Sequence, residues 1–481
     1  MYTYILMCMD FFKTGRLHWY MLFITFILIR WLIVRLFADR YKPYSGQNKP
    51  FFTSIIIPVV DEPIEIFSRV LTTIADQNPN ELIIVINGPK NEKLDKACQD
   101  LRQNRIENGK DSTNIKILHT EVAGKRNAIR MGVENANPLS DICVLCDSDS
   151  IWTEGTLENL LTPFSSDKTI GGVTTRQKIF KPNRNLVTMV AALLEEIRAE
   201  GTMKAMSVTG KVGCLPGRTI AFRTEILRKS MHEFMTETFM GIHKEVSDDR
   251  SLTNLTLKMG YKTVMQDSSV VFTDAPTTWK KFIRQQLRWA EGSQYNNIKM
   301  TGWMFRHAKL MAFIYWSDIL MPFLLISTYT NIGLCFLYRK LGYEMYSLPY
   351  SLPPWLMLLL ILLGAAVGMG IRHFIALTKL PPYYMALMPL ITLVLSFVMT
   401  PIRIIGLMKC ADGLSWGTRD LEEEQQGSRI DQNGGIHFPR EQKSHHKWNR
   451  YQIAIRAAVF GTMLFFIVFS FVLELLFNSI F

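Results

Sequence analysis

The chain has 481 residues, of which 48% are apolar, 20% charged and 11% aromatic, with 29 Gly and 20 Pro. These proportions exclude a disordered chain, whose mark is low apolar content with high net charge, and a collagen-like or low-complexity one. Lys and Arg number 54 against 42 Asp and Glu, a net charge of +12, which leaves a nucleic-acid surface or the basic flanks of membrane spans as its origin. A mean hydropathy just above zero is the average of a soluble and a membrane-like population.

In chain order, the apolar start MYTYILMCMDFF is too short to span and reads as an interfacial helix. Residues 19–37, WYMLFITFILIRWLIVRLF, can cross a hydrocarbon core of about 30 Å. Arg30, Arg35, Arg40 and Lys42 mark its far end as the cytoplasmic one. No small-residue cleavage site follows, which argues against a signal peptide.

Between 50 and 300, apolar runs of strand length (FTSIIIPVV, ELIIVING, NIKILHT, DICVLCDSD) alternate with polar stretches of helix length. That alternation predicts an α/β domain on a mostly parallel sheet, with ligands beyond the carboxyl ends of its strands. Membrane character returns at 310–335, 353–371, 385–408 and 455–478, with a basic polar stretch over 409–452. Three full crossings would put that basic stretch outside. The segment 385–408, which carries Pro389, Pro401 and Arg403, is therefore expected to be re-entrant or interfacial.

Five clusters carry chemistry. Asp147-Ser148-Asp149 ends a buried run and suits a divalent cation bridging a diphosphate, or is a simple turn. Cys143 and Cys146 before it lie within the apolar run and read as buried thiols; the seven cysteines are scattered, odd in number and fit a reducing compartment. Gly124-Lys125-Arg126-Asn127 opens a helix, either as a phosphate site or as a solvated basic turn. Ser247-Asp248-Asp249 offers a general base, a helix cap, or both. Gln285 to Trp289, Q-Q-L-R-W, lies in an amphipathic stretch and combines a diphosphate-binding Arg with a flat ring for a sugar, or is a basic interfacial helix.

The order of these motifs resembles the processive family 2 glycosyltransferases: the cellulose, chitin and hyaluronan synthases. Trp416-Gly417-Thr418-Arg419 is similar to the gating-loop motif of the hyaluronan-synthase-like members. The stretches IIIPVVDEP, VINGPKNE, GKRNAIR, RNLVTM, LLEEIRAEGTMKAMSVTGKVGCLPGRTIAF, KEVSDDRSLTNLTLK and FIRQQLRWAEGSQYNN resemble the streptococcal type 3 capsular polysaccharide synthases. That likeness runs to about residue 420, and 421–481 is an addition to the pattern.

The resemblance implies a GT-A-like nucleotide-sugar-binding domain inserted between transmembrane helices. Its expected divisions are 1–45, an interfacial helix and a span; 46–278, the cytoplasmic transferase domain; 279–305, the amphipathic helix; 306–410, membrane helices; 411–452, a cytoplasmic loop; and 453–481, a last span. Asp61 and Asn87 would line the uridine pocket, and Lys125 and Arg126 would contact the nucleotide. Asp147 and Asp149 would hold the diphosphate and a Mg²⁺ or Mn²⁺ ion. Asp249, with Asp248 beside it, would be the base; Gln285, Arg288 and Trp289 would bind diphosphate and acceptor. Leu215, Pro216, Gly217 and Arg218 would lie near the acceptor, while Trp416, Thr418 and Arg419 would close over the bound UDP. Asp318, Asn331 and Arg372 would line a passage through the membrane.

The expected activity is polymerisation of UDP-glucose and UDP-glucuronate into an exported β-linked capsular polysaccharide, at a bacterial plasma membrane, with no nucleic-acid partner. A hyaluronan synthase using UDP-GlcNAc is the alternative, ahead of a non-processive lipid-linked sugar transferase or an inactive channel subunit.

Overall fold

Three of the four apolar runs form fully buried strands, because both of their faces are covered. The structure, a computed structural model, describes residues 19–109, 112–122, 124–340, 354–412 and 449–479. Strand β1 (Thr53–Val59) is buried at every position, as are β2 (Glu81–Asn87) and β4 (Ile142–Cys146); β3 (Asn114–Thr120) lies at the edge. All four run parallel in the order β3-β2-β1-β4. Pro58, in the central strand β1, lacks an N–H to donate. The β4 ladder onto β1 ends at Ile56, two residues earlier, so little is lost on that side.

Alternation along β1 divides the core. Ile55, Ile57 and Val59 pack with α1 (Ile64–Ala75) and α2 (Glu92–Glu107). Ile56 faces the other side with α3 (Lys125–Asn135). The sheet extends to eight strands through an antiparallel strand, β7 (Thr219–Arg223), which joins β4 to β6 (Ile170–Ile179); β8 (Lys262–Thr273) and β5 (Ser150–Trp152) complete it. The expected α/β domain with a mostly parallel sheet is therefore present, with β7 and β5 as its reversed strands.

The core on the Ile56 side does not stop at the domain. It includes Val34 and Ala38 of the helix Trp19–Ala38, and Met304, Met311 and Tyr315 from the helices Trp279–His307 and Lys309–Lys340. Arg30, expected as a flanking charge, instead points inward to Asp318 at 2.6 Å and Ser317 at 2.8 Å. Arg35 donates to the Glu200 carbonyl of the domain at 3.2 Å.

Among the described residues, four helical segments are long and apolar enough to cross a membrane: Met21–Ala38, Lys309–Leu334, Met388–Lys409 and Arg450–Val472. Pro354–Arg372 forms a further apolar helix. The segment 385–408, expected to be re-entrant or interfacial, is continuously helical from Met388 to Lys409: Pro389 falls in the first turn of Met388–Val394, and a π-helical stretch, Leu395–Met399, precedes Pro401. The wider π turn absorbs the donor that proline lacks. The last part, Thr400–Lys409, lies against the helix Trp279–His307 so closely that a Cβ on Gly406 would sit 2.6 Å from the Ala290 Cβ.

Gly406→Leu is expected to force these two helices apart at a cost of about 1–3 kcal/mol, read as a lower melting temperature of the detergent-solubilised protein; an unchanged melt would refute the close approach.

Candidate active site

Apart from Gln285–Trp289, which lies within the helix Trp279–His307, the acidic and basic motifs sit where a chain element begins or ends above the carboxyl ends of the parallel strands. Asp147 and Asp149 follow β4, Lys125 opens α3 behind Gly124, and Gly217 and Arg218 precede β7. Asp248 opens the helix Asp248–Lys258; Ser247 before it has φ +69°, a left-handed conformation, and its side chain caps nothing. The capping role weighed for Ser247 is therefore absent.

One ammonium ties two motifs together. Lys125 Nζ lies 2.7 Å from Asp147 Oδ1 and 3.0 Å from Asp248 Oδ2. Burial opposes the charge on Lys125, but the Asp147 and Asp248 carboxylates outweigh it and hold the pKa above its usual range. Burial also opposes ionisation of Asp248; contact with Lys125 more than offsets it and lowers that pKa. Asp249 goes the other way, raised by burial and by the Asp248 charge. Its Oδ2 accepts the Gly217 N–H at 3.2 Å and a weak Cys214 S–H contact at 3.9 Å, and its Oδ1 accepts the Arg250 N–H at 2.7 Å. Gly217 leaves the space between these groups open: a Cβ there would lie 3.4 Å from Lys125 Nζ and 3.5 Å from the Asp249 Cβ.

Asp149 fits a divalent cation. It has neither hydrogen bond nor ion pair among the described residues, and burial, then the Asp147 and Glu62 carboxylates, pushes it up to about 7. A cation would remove that penalty. No three His, Cys, Asp or Glu side chains among the described residues form a metal cage. That suits an ion which keeps waters and takes phosphate oxygens from its substrate.

The side expected to face the acceptor is built from a network that sequence reasoning missed. Arg218 donates to Glu195 and to Gln177, both at 2.8 Å, and its guanidinium lies 5.6 Å from the Trp289 ring centroid. Arg198 donates to the same Glu195 at 2.6 Å. The available signal was an acidic pair, Glu195-Glu196, inside the otherwise apolar run VAALLEEI.

A single cavity of about 760 Å³ unites the two sides. Lys125, Asp147, Asp149, Pro216, Gly217, Arg218, Asp248, Asp249, Gln285, Arg288 and Trp289 line it. Asp318 and Arg372 line it as well; Asn331 does not. Asn87 is fully buried and ties the Val59 carbonyl at 3.1 Å to the Gly124 N–H at 3.2 Å, so it shapes the loop without entering the cavity. Asp61 is exposed outside the cavity, and Leu215 is buried with its N–H on Thr253.

Arg126 is turned away as well. It is 4% exposed and donates to the Phe234 carbonyl at 2.5 Å and to Glu237 at 2.8 Å. Cys143 and Cys146 are buried thiols, as expected. Trp416, Thr418 and Arg419 lie outside the described residues, as does the apolar start of the chain.

Residues 50–292, half of the chain, match the model of Glycosyltransferase like family 2. The chain belongs to that family. It is 26% identical over 268 residues to the hyaluronan synthase of Streptococcus pyogenes, covering 55% of this chain and 62% of that one. It is 27% identical over 296 residues to a type 2 glycosyltransferase of Pyricularia oryzae, covering 58% of each. The chain thus spans less than two-thirds of the length of these curated relatives. A solved mannosyltransferase of Pyrobaculum calidifontis, in complex with GDP-Man and Mn²⁺, superposes with a TM-score of 0.52 at 17% identity, over 81% of this chain and 97% of that one. This likeness establishes a GT-A-like fold for the family 2 transferase.

The burial of Arg126 makes a prediction against a direct nucleotide contact. Arg126→Met is expected to remove one of the two cations, Arg126 and Lys299, that neutralise the buried Glu237 and to cost about 1–3 kcal/mol of stability, seen as a fall in melting temperature. A variant that melts normally yet loses donor affinity would reverse that assignment.

Proposed function

We propose that this family 2 transferase is a membrane-embedded, inverting, processive polysaccharide synthase that exports its product through its own helices. Its donors are UDP-glucose and UDP-glucuronate, and its product is a β-linked capsular polymer. The observation that carries the reading is the single cavity, lined by Asp147, Asp149, Asp249 and Arg288 and also by Ile27, Met321, Leu325 and Met399 of helices long and apolar enough to cross a membrane. A polar chain cannot cross hydrocarbon unaided, so a transfer site that opens among such helices suits a product leaving through them. The choice of donors rests on the likeness of the quoted stretches to the type 3 capsular synthases. The S. pyogenes relative supports a second reading, hyaluronan synthesis from UDP-GlcNAc and UDP-glucuronate.

Asp249 is the base. Its raised pKa makes it a better proton acceptor, and the Gly217 N–H orients it. The acceptor hydroxyl gives its proton to Asp249 as its oxygen bonds to the anomeric carbon from the face opposite the leaving group. The bond from that carbon to the diphosphate oxygen breaks, and UDP leaves with the electron pair. Asp149 and Asp147 would hold a Mg²⁺ or Mn²⁺ ion, which when bound neutralises charge on the diphosphate. Arg288 adds a second cation; its Nε is buried without a hydrogen-bond partner among the described residues. Trp289, under Arg218, offers a ring face to the acceptor sugar. Trp416, Thr418 and Arg419 close over the UDP. The same reading puts the transferase domain at the cytoplasmic face of a bacterial plasma membrane, where UDP-sugars are made.

Membranes containing the protein are expected to build polymer from radiolabelled UDP-glucose plus UDP-glucuronate; polymer only with UDP-GlcNAc plus UDP-glucuronate would replace these donors with those of hyaluronan. Asp249→Asn should lower incorporation by about 10²–10⁴-fold with UDP binding retained by calorimetry, and unchanged polymer yield would refute the assigned base.

A further inference from the structure

The cavity holds a cation that the transfer chemistry does not use. Arg403 lies within Met388–Lys409, one of the segments apolar enough to span a membrane, and it lines the cavity. Other arginines on the wall are neutralised by the protein: Arg30 by Asp318, and Arg198 and Arg218 by Glu195. Arg403 has no hydrogen bond or ion pair among the described residues. A charge in such a segment is costly unless something pairs with it, and its default meaning is a functional site.

Its position is informative. Arg403 precedes Gly406 by three residues, so the two share a helix face about one turn, or roughly 5 Å, apart. Gly406 touches Ala290, the residue after Trp289. Arg403 therefore stands at the throat where the helix bearing Gln285, Arg288 and Trp289 meets the membrane helices. Thr400 and Ser396, three and seven residues before it on the same face, also line the cavity. The result is a short stripe of two hydroxyls and one guanidinium on a helix that is otherwise largely apolar. Hydroxyls suit any sugar. A planar guanidinium with no acid of its own suits a carboxylate, which it can take with two parallel hydrogen bonds.

We infer that Arg403 is a uronate subsite: its guanidinium binds the carboxylate of an acidic unit in the growing chain as that unit passes from the transfer site toward the membrane helices. This rests on the polymer-synthase reading but not on the identity of the neutral sugar. Each acidic unit in turn replaces the missing counter-ion, and retention of the chain then depends on its charge. A carboxylate could also come from the donor UDP-glucuronate; the position beyond Trp289 favours the chain.

The test uses the purified full-length protein in detergent, without nucleotide. A tetrasaccharide of alternating glucose and glucuronate is titrated against cellotetraose, which has the same backbone without carboxylates. The wild type is expected to bind the acidic oligosaccharide about fivefold more tightly, with the advantage shrinking as salt is raised. Arg403→Gln should abolish the preference and shorten the polymer severalfold, and Arg403→Lys should keep part of both. Equal affinity of the wild type for the two oligosaccharides overturns the inference, and needs no variant to fold. An undiminished preference in Arg403→Gln overturns it too, as does a loss confined to UDP-glucuronate affinity, which would assign the carboxylate to the donor. Synthesis from UDP-GlcNAc and UDP-glucuronate would sink the donor assignment above and leave this subsite standing.

Discussion

The site is organised by a shortage of positive charge. Asp147, Asp149, Asp248 and Asp249 converge from two separate chain elements, and among the described residues the ammonium of Lys125 is the cation that bridges the two motifs. Four carboxylates cannot all ionise in a poorly solvated pocket around one ammonium. Lys125 satisfies Asp147 and Asp248, and the deficit falls on the other two. Asp149 is pushed toward neutrality, which gives it an appetite for a divalent ion. Asp249 is raised, which gives it an appetite for a proton. In the proposed mechanism, the division of labour between a metal-binding and a proton-accepting carboxylate would follow from where the lysine stands. Gly217 makes the arrangement possible, because a side chain there would crowd both Lys125 and Asp249.

A second constraint joins this site to the membrane helices. The domain core is shared with them through Val34, Met304, Met311 and Tyr315, and polar links at Arg30–Asp318 and Arg35–Glu200 add direction to the apolar contact. The close approach of Gly406 to Ala290 brings one apolar helix against the helix that carries Arg288 and Trp289. Displacing either helix would alter the wall of the cavity that the candidate site residues line.

Much of this was legible in the chain. The apolar runs ending in Asn87 and Asp149 read as parallel strands because β-branched residues fill both of their faces, and strand ends locate the chemistry in such sheets. The motifs Asp147-Ser148-Asp149 and Asp248-Asp249 were visible because paired acids beside an apolar element are expensive to keep without a use. The conformation of Ser247 was not legible: the left-handed turn before the helix favours glycine, and serine tolerates it at some cost. Arg126 was not legible, because adjacent Lys and Arg at a helix start look equivalent in sequence. A helix turns by about 100° per residue, which sends Lys125 into the cavity and Arg126 into the core against Glu237.

The chain alone therefore determined the alternation of strands and helices, the apolar helices and the acidic pairs that are candidates for the chemistry, since all of these depend on local composition and period. Tertiary structure decided which acids share a cation, that Glu195 and Arg218 brace Trp289, that proline at 401 is accommodated by a π turn, and that Arg403 reaches the cavity without a counter-ion. Those are consequences of close packing between residues far apart in sequence, where a few ångströms separate a paired charge from an unpaired one, and no local pattern encodes that distance.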